Sequence, residues 1–411
     1  MSGRETDRLI EAAFDVPLPT APGIGELTNR ARRRRRVRHS VMALAAVAIV
    51  GAGLAGALQL QGDSGLPVAT PLVDPVDPPV VDAPPEEIQR VEEWVWVDDI
   101  GMTARDGTDT GYVLREFPDA TSLVIYLDEG SICLDANTCP ASTAGFGLER
   151  ARQEFIENPD GRGALFDLTG PDNPFSAWHA VFVPNSTHDL YSGQNPSANI
   201  PGVTTPQALV GATNLEALVA DLTLRLPEVD RVVFAGSGAG GFGVLLNYAT
   251  VADAYPDIAV TALIDSAFLP LSNDLLPACL LNQVTTAWRR SLPDDWDALV
   301  TVPTSQRLGG LYEYASNRYP EASFGLLSTV HDAELRAALG RGTDACTRAE
   351  PIPEAVYEAG LRDLDAHFEA LPNWEILVVA GTHHGFLRSA ERPLTERSQE
   401  IVDWIDDLIN A

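Results

Sequence analysis

Three places in the chain carry the residue types of a hydrolytic relay. They are a turn of small residues at 236–241, an aspartate at 332 and a histidine at 384. Nucleophile, acid and histidine in that chain order form the relay of many serine esterases. The histidine takes the nucleophile's proton and the acid orients its ring. The turn lies within Arg231 to Tyr248, RVVFAGSGAGGFGVLLNY, where an apolar run stops at glycines and restarts with helical character. Two devices share this shape. One is the nucleophile turn G-x-S-x-G, and here Gly238 stands where the serine should be. The other is the dinucleotide fingerprint G-x-G-x-x-G, which Gly236, Gly238 and Gly241 satisfy, with Asp265 placed as a ribose-binding acid 24 positions after Gly241. His383 is the rival of His384 if the loop register differs. Ser237 is the candidate substitute nucleophile, although a hydroxyl one position before the tip projects in another direction.

These groups need a scaffold that brings them together. Strands are expected at Val91–Val97, Ser122–Leu127, Ala180–Val183, Val232–Ala235, Ile258–Ile264, Phe324–Leu327 and Ile376–Val379. The second, SLVIYL, is an unbroken apolar run of the kind buried on both faces. Helical patterning falls at Leu148–Ile156, at Asn214–Leu226 with Thr213 as its candidate N-cap, after the glycine turn, and at Ser398–Ile409. Alternating strands and helices predict a mostly parallel central sheet flanked by helices. Right-handed crossovers then gather the strand C-termini on one edge, where ligands and catalytic groups collect. Gly238, Asp332 and His384 each follow a candidate strand, so they can converge.

The N-terminus bears on location. Arg30, Arg32 to Arg36 and Arg38 precede Val41 to Leu58, eighteen residues without a charge. At helical rise these span about 27 Å, close to one bilayer core. Residues 1–39 are therefore expected to be a short cytoplasmic basic segment and 40–60 one transmembrane helix, with the remainder extracytoplasmic. A cleaved signal peptide and a secreted protein are the alternative, because Ala55-Gly56-Ala57 resembles a cleavage site. Residues 61–90, rich in Pro and Asp, read as an extended linker, and 91–411 as one folded α/β domain. The net charge is −30, and residues beyond 60 carry −34 of it. Such a domain repels nucleic acid. The four cysteines fit export. Cys133 and Cys139 suit a small looped disulfide and Cys279 and Cys346 would pair across the chain, one of three pairings that four cysteines allow. Neither C-x-x-C spacing nor nearby histidines support a metal site. Exported location and a fingerprint deep within the chain count against a nicotinamide cofactor, and no cofactor is expected.

From about Trp94 to Leu387 the chain resembles the pectin acetylesterase and Notum-type carboxylesterase family. The similar segments are Leu127 to Cys139 (LDEGSICLDANTC), then Asn173, Pro174, Phe175, Trp178, Val183, Pro184, Thr187 and Asp189. Gly236, Ser237, Ala239, Gly240, Gly241 and Val244 to Asn247 follow. The resemblance implies an α/β-hydrolase fold and carboxylic-ester hydrolysis. It also implies an oxyanion loop at Glu129, Gly130 and Ser131 acting with Ala239, and a nucleophile, acid and histidine at 238, Asp332 and His384. The departures fall on the chemistry. Gly238 has no oxygen, and Glu129 and Ser131 stand where that loop has glycines, with Ile132 in place of an aromatic or small residue. A carboxylate beside a developing oxyanion opposes it. The expectation is a hydrolase-like protein impaired in catalysis, which binds an acylated carbohydrate or a lipid-modified ligand. An active esterase using Ser237, and a dinucleotide-binding oxidoreductase, are the alternatives.

Overall fold

The structure is a computed structural model. It describes residues 93–139, 146–158, 163–166, 173–271, 275, 285–289, 295, 300, 309–340, 350–388 and 396–411. Its central sheet has eight strands. They are β1 (Trp94–Val97), β2 (Tyr112–Arg115), β3 (Ser122–Leu127), β4 (His179–Val183), β7 (Arg231–Ser237), β8 (Thr261–Asp265), β9 (Phe324–Thr329) and β10 (Trp374–Val379). Their order across the sheet is β1-β2-β4-β3-β7-β8-β9-β10. β2 pairs antiparallel with both its neighbours, and every other pairing is parallel. A separate pair, β5 (Asn195–Ala198) and β6 (Gln207–Leu209), is antiparallel.

The unbroken apolar strands follow from burial on both faces. Leu123, Ile125 and Leu127 of β3 enter one core, and Val124 and Tyr126 enter the other. Val232 and Phe234 of β7 divide from Val233 and Ala235 in the same way. Among the described residues the α-helices beside the sheet are α1 (Leu148–Ala151), α2 (Gly211–Arg225), α3 (Ala239–Ala254), α4 (Leu311–Arg318), α5 (Ala333–Leu339), α6 (Glu354–Phe368) and α7 (Glu396–Ile409). On the first face α2 lays down Leu215, Leu218 and Leu222, while α3 adds Val244, Tyr248 and Val251. On the other, α7 contributes Ile401, Trp404, Ile405 and Leu408. Each such side chain, fully buried, stabilises the fold by about 1.5–3 kcal/mol relative to exposure.

Two of the element boundaries that differ from expectation have a reason in hydrogen bonding. α2 starts at Gly211 rather than Asn214, so Thr213 is not its N-cap. Its first N–H donates instead to Asp189 Oδ2 at 2.8 Å, a cap supplied from another segment. Any Cβ at Gly211 would lie 2.3 Å from Asp189 Oδ1, which is why glycine opens the helix. β8 begins at Thr261 because Ile258 is still held in a turn by Tyr255 O. β2, β5, β6, α4, α5 and α6 have no counterpart in the sequence reading.

A disulfide joins Cys133 and Cys139. Cys279, Cys346 and residues 40–60 lie outside the described residues. Among the described residues no helix is long and apolar enough to cross a membrane.

Candidate functional site

The C-terminal edge of the parallel strands holds the loops that sequence reasoning singled out. β7 ends at Ser237, and Gly238 turns the chain into α3 with φ +51° and ψ −115°. That combination strains any residue bearing a Cβ. The turn is also tightly packed. A Cβ on Gly236 would meet Gly240 O at 2.5 Å, one on Gly240 would meet Leu127 O at 2.0 Å, and one on Gly241 would meet Ala267 Cβ at 2.7 Å. These glycines thus serve the close packing of strand, turn and helix.

Asp332 and His384 come together beside this turn. His384 Nδ1 lies 2.8 Å from Asp332 Oδ2 and 3.0 Å from Oδ1. Asp332 is buried and also caps α5, its Oδ1 accepting from Leu335 N at 2.8 Å. With Nδ1 held, the other ring nitrogen faces the turn. An ideal Cβ on Gly238 would sit 2.8 Å from His384 Nε2, closer than real Cβ atoms approach. The imidazole has therefore settled into space that a side chain at 238 would claim. Burial alone would lower the His384 pKa. The hydrogen bond and charge of Asp332, with Asp265 and Glu334 behind it, more than offset burial and raise it to about 9. His384 is accordingly an imidazolium at neutral pH.

The remaining candidates separate cleanly. His383 does not meet Asp332: its carbonyl accepts from Thr329 Oγ1 at 2.7 Å and its ring packs on Phe386. Ser237 does not face His384. It stands in parallel register with Asp265, is fully buried, and donates its hydroxyl to Asp265 Oδ2 at 2.6 Å. Asp265 in turn is engaged by the histidine loop. Its Oδ2 accepts from Phe386 N at 2.6 Å and Leu387 N at 3.0 Å, and its Oδ1 from Ser266 Oγ at 3.0 Å. Ser266 Oγ also accepts from Gly385 N at 2.9 Å. Asp265 is fully buried and saturated, so it cannot serve a ribose, and the dinucleotide reading loses its acid. The strand-end Asp-Ser pair was visible in the sequence, but its partners, backbone N–H groups more than 100 positions away, were not.

The loop after β3 forms the other wall. Glu129 Cβ is 3.5 Å from the Cβ position of Gly238, and Glu129 Oε2 is 3.0 Å from that of Gly385. Gly130 has φ +139° and lies against the Asn185 side chain. Ser131 O accepts from Asn185 Nδ2 at 3.2 Å, and His188 Nδ1 lies 3.1 Å from both Ser131 O and Oγ. Burial pushes His188 down to about 4, so it is neutral. Ala239 is the first residue of α3, where a backbone N–H has no intrahelical acceptor. Arg388, missed in the sequence, pairs with Asp128 and stacks on Phe182, bracing this loop. Burial and Asp128 raise the Glu129 pKa, opposed by His384 and Arg388. Among the described residues no cluster of metal-ligating side chains is found.

The comparisons bear on this edge. The family model for pectinacetylesterase matches residues 94–283, which contain Glu129 and Gly238 but neither Asp332 nor His384. The palmitoleoyl-protein carboxylesterase notum2 of Xenopus laevis is 30% identical over 176 residues, 41% of this chain and 35% of that protein. The palmitoleoyl-protein carboxylesterase NOTUM of Homo sapiens is 29% identical over 175 residues, 41% of this chain and 34% of that protein. The chain thus spans about a third of the length of these curated relatives. The solved structure of the Wnt deacylase Notum from Drosophila superposes with a TM-score of 0.53 at 19% identity, covering 73% of this chain and 87% of that one. The fold is accordingly a Notum-like α/β-hydrolase fold.

Proposed function

This chain belongs to the pectin acetylesterase/Notum family, and from that premise we propose that it binds an ester-bearing ligand without forming a serine acyl-enzyme. The observation that carries this is Gly238. It holds the sharp strand-to-helix turn at φ +51°, with His384 Nε2 against it, and it offers no oxygen. The Asp332–His384 pair supports a site whose proton-handling half persists. Serine chemistry through Ser237 is disfavoured because that hydroxyl is spent on buried Asp265. The relatives' names point to acyl esters on protein, and the family's to acetylated carbohydrate, so the ligand class is an acylated carbohydrate or a lipid-modified chain. Residues 40–60 anchor the protein, with 1–39 cytoplasmic and the domain extracytoplasmic. Secretion after cleavage is the alternative.

The test uses the full-length chain. It is expected to give no fluorophosphonate adduct, and to bind either an acetylated xylan oligosaccharide or a palmitoleoyl-serine peptide by calorimetry. A stoichiometric adduct on the unmodified protein overturns the proposal, as does failure to bind either ligand.

A further inference from the structure

Two of the departures from the family pattern, at 129 and 238, meet in space. A side chain is missing at 238, and one is present at 129 where the resemblance has glycine. The Glu129 Cβ lies 3.5 Å from the point that a Cβ on Gly238 would occupy. His384 Nε2 borders the same point at 2.8 Å from the opposite loop. The neighbouring acids are already engaged: Asp128 by Arg388, Asp332 by His384 and Leu335 N, Asp265 by four donors. Among the described residues no hydrogen bond or ion pair holds the Glu129 carboxylate.

We propose that Glu129 and His384 act as a general-base and general-acid pair that hydrolyses an alkyl or sugar ester directly with water, an inference that rests on the ester-ligand reading above. The water oxygen forms a bond to the acyl carbon, and its proton passes to the Glu129 carboxylate. The tetrahedral intermediate collapses by breaking the bond to the alcohol oxygen, which takes the proton from His384 Nε2. The proton on Glu129 then returns to the imidazole. Ester and water become acid and alcohol, and no bond to the protein is made. Such a pair needs one group that accepts a proton and one that holds it, in distinct environments. Glu129, raised by burial, Asp128 and Asp265 and lowered by His384 and Arg388, is a stronger base than an exposed glutamate. His384 faces Asp332, Asp265 and Glu334, besides Glu129, and holds its proton to about 9. Turnover therefore rises as Glu129 ionises and falls as His384 deprotonates near pH 9.

The full-length chain is assayed with triacetin by acetate release and with 4-nitrophenyl acetate. Slow turnover of both is expected. Glu129→Gln should lower kcat about 100- to 1000-fold with KM within a few-fold, and remove the acid limb of the pH profile. Glu129→Gly, which restores a smaller residue, should do the same if Gln misfolds. His384→Gln should slow triacetin more than 4-nitrophenyl acetate, because nitrophenolate leaves without a proton. A single turnover in oxygen-18 water should label acetate alone. Wild-type turnover in Glu129→Gln, acetate release no faster than in buffer, or oxygen-18 in the Glu129 carboxylate would each overturn the pair. A chain that binds ester ligand yet does not hydrolyse it removes this inference and leaves the binding reading standing. A fluorophosphonate adduct removes the binding reading itself.

Discussion

Placing a serine at 238 is the sharpest perturbation of this site. The backbone already holds φ +51° and ψ −115°, so no rearrangement is needed to present a hydroxyl at the turn. The cost has two parts. An L side chain in this region of φ/ψ space is strained by about 1–3 kcal/mol. The new Cβ would also lie 2.8 Å from His384 Nε2, so the ring must retreat by several tenths of an ångström against its two contacts to Asp332. Glu129 Cβ, at 3.5 Å, is in ordinary contact and need not move. Gly238→Ser should therefore lower stability by at least the ~1–3 kcal/mol of backbone strain, with the ring's displacement added to it, while placing an oxygen beside an imidazole. Its carboxylate neighbour still opposes an oxyanion. Losing one oxyanion donor costs about 100- to 1000-fold in rate, and a facing carboxylate is expected to act on the same scale. The assay is the rate of fluorophosphonate labelling for wild type, Gly238→Ser and Gly238→Ser with Glu129→Gly. No labelling, slow labelling, and labelling about 100-fold faster again are expected in that order. A folded double variant that never labels would refute the reasoning, as would labelling of the wild type.

Other outcomes follow from the same contacts. Asp265→Ala leaves the N–H groups of Phe386 and Leu387 without their acceptor, and should cost about 2–6 kcal/mol in urea unfolding, about 1–3 for each unsatisfied donor. A loss under 1 kcal/mol would contradict the anchoring role. Ser237→Ala removes one donor to that carboxylate and should cost about 1–3 kcal/mol, and it should not abolish acetate release as loss of a nucleophile would. The raised His384 pKa stabilises the fold fully below its unfolded value of about 6.5, and that contribution fades as pH climbs through about 9. The melting-temperature gap between wild type and His384→Gln should thus be wide at pH 6 and narrow at pH 10, and an equal gap would count against it. Reducing the Cys133–Cys139 bridge, which closes a short loop, should cost about 2 kcal/mol, read as a few degrees in calorimetry.

The sequence was most legible where one local pattern carried the signal. SLVIYL and VVFAG read as buried strands because both faces are covered, and the glycine turn read as a strand-to-helix turn because three of its glycines sit against backbone. Gly238, Asp332 and His384 were placed by position after a strand, and the structure brings those three together. What stayed hidden depends on distant partners. Asp189 caps α2 from 22 positions away, whereas local residue types point to Thr213. The position of Asp265 after its strand suits a ribose ligand, but its donors come from the histidine loop more than 100 positions away. The choice between His383 and His384 turns on which ring a loop points inward, a matter of backbone direction that residue types do not encode. The nearness of Glu129 to Gly238 and His384 is likewise a fact of folding that spacing along the chain does not carry.

Asp265 ties the end of β7, the end of β8 and the histidine loop into one unit through bonds that involve no reacting atom. The geometry of this edge is thereby maintained by folding itself. None of these bonds uses a side chain at 238, so the alignment of the edge does not depend on which side chain that position carries. The same insulation makes the domain a chassis: reactivity can be removed, exchanged or reinstalled at 129 and 238 while the framework beneath them stays intact.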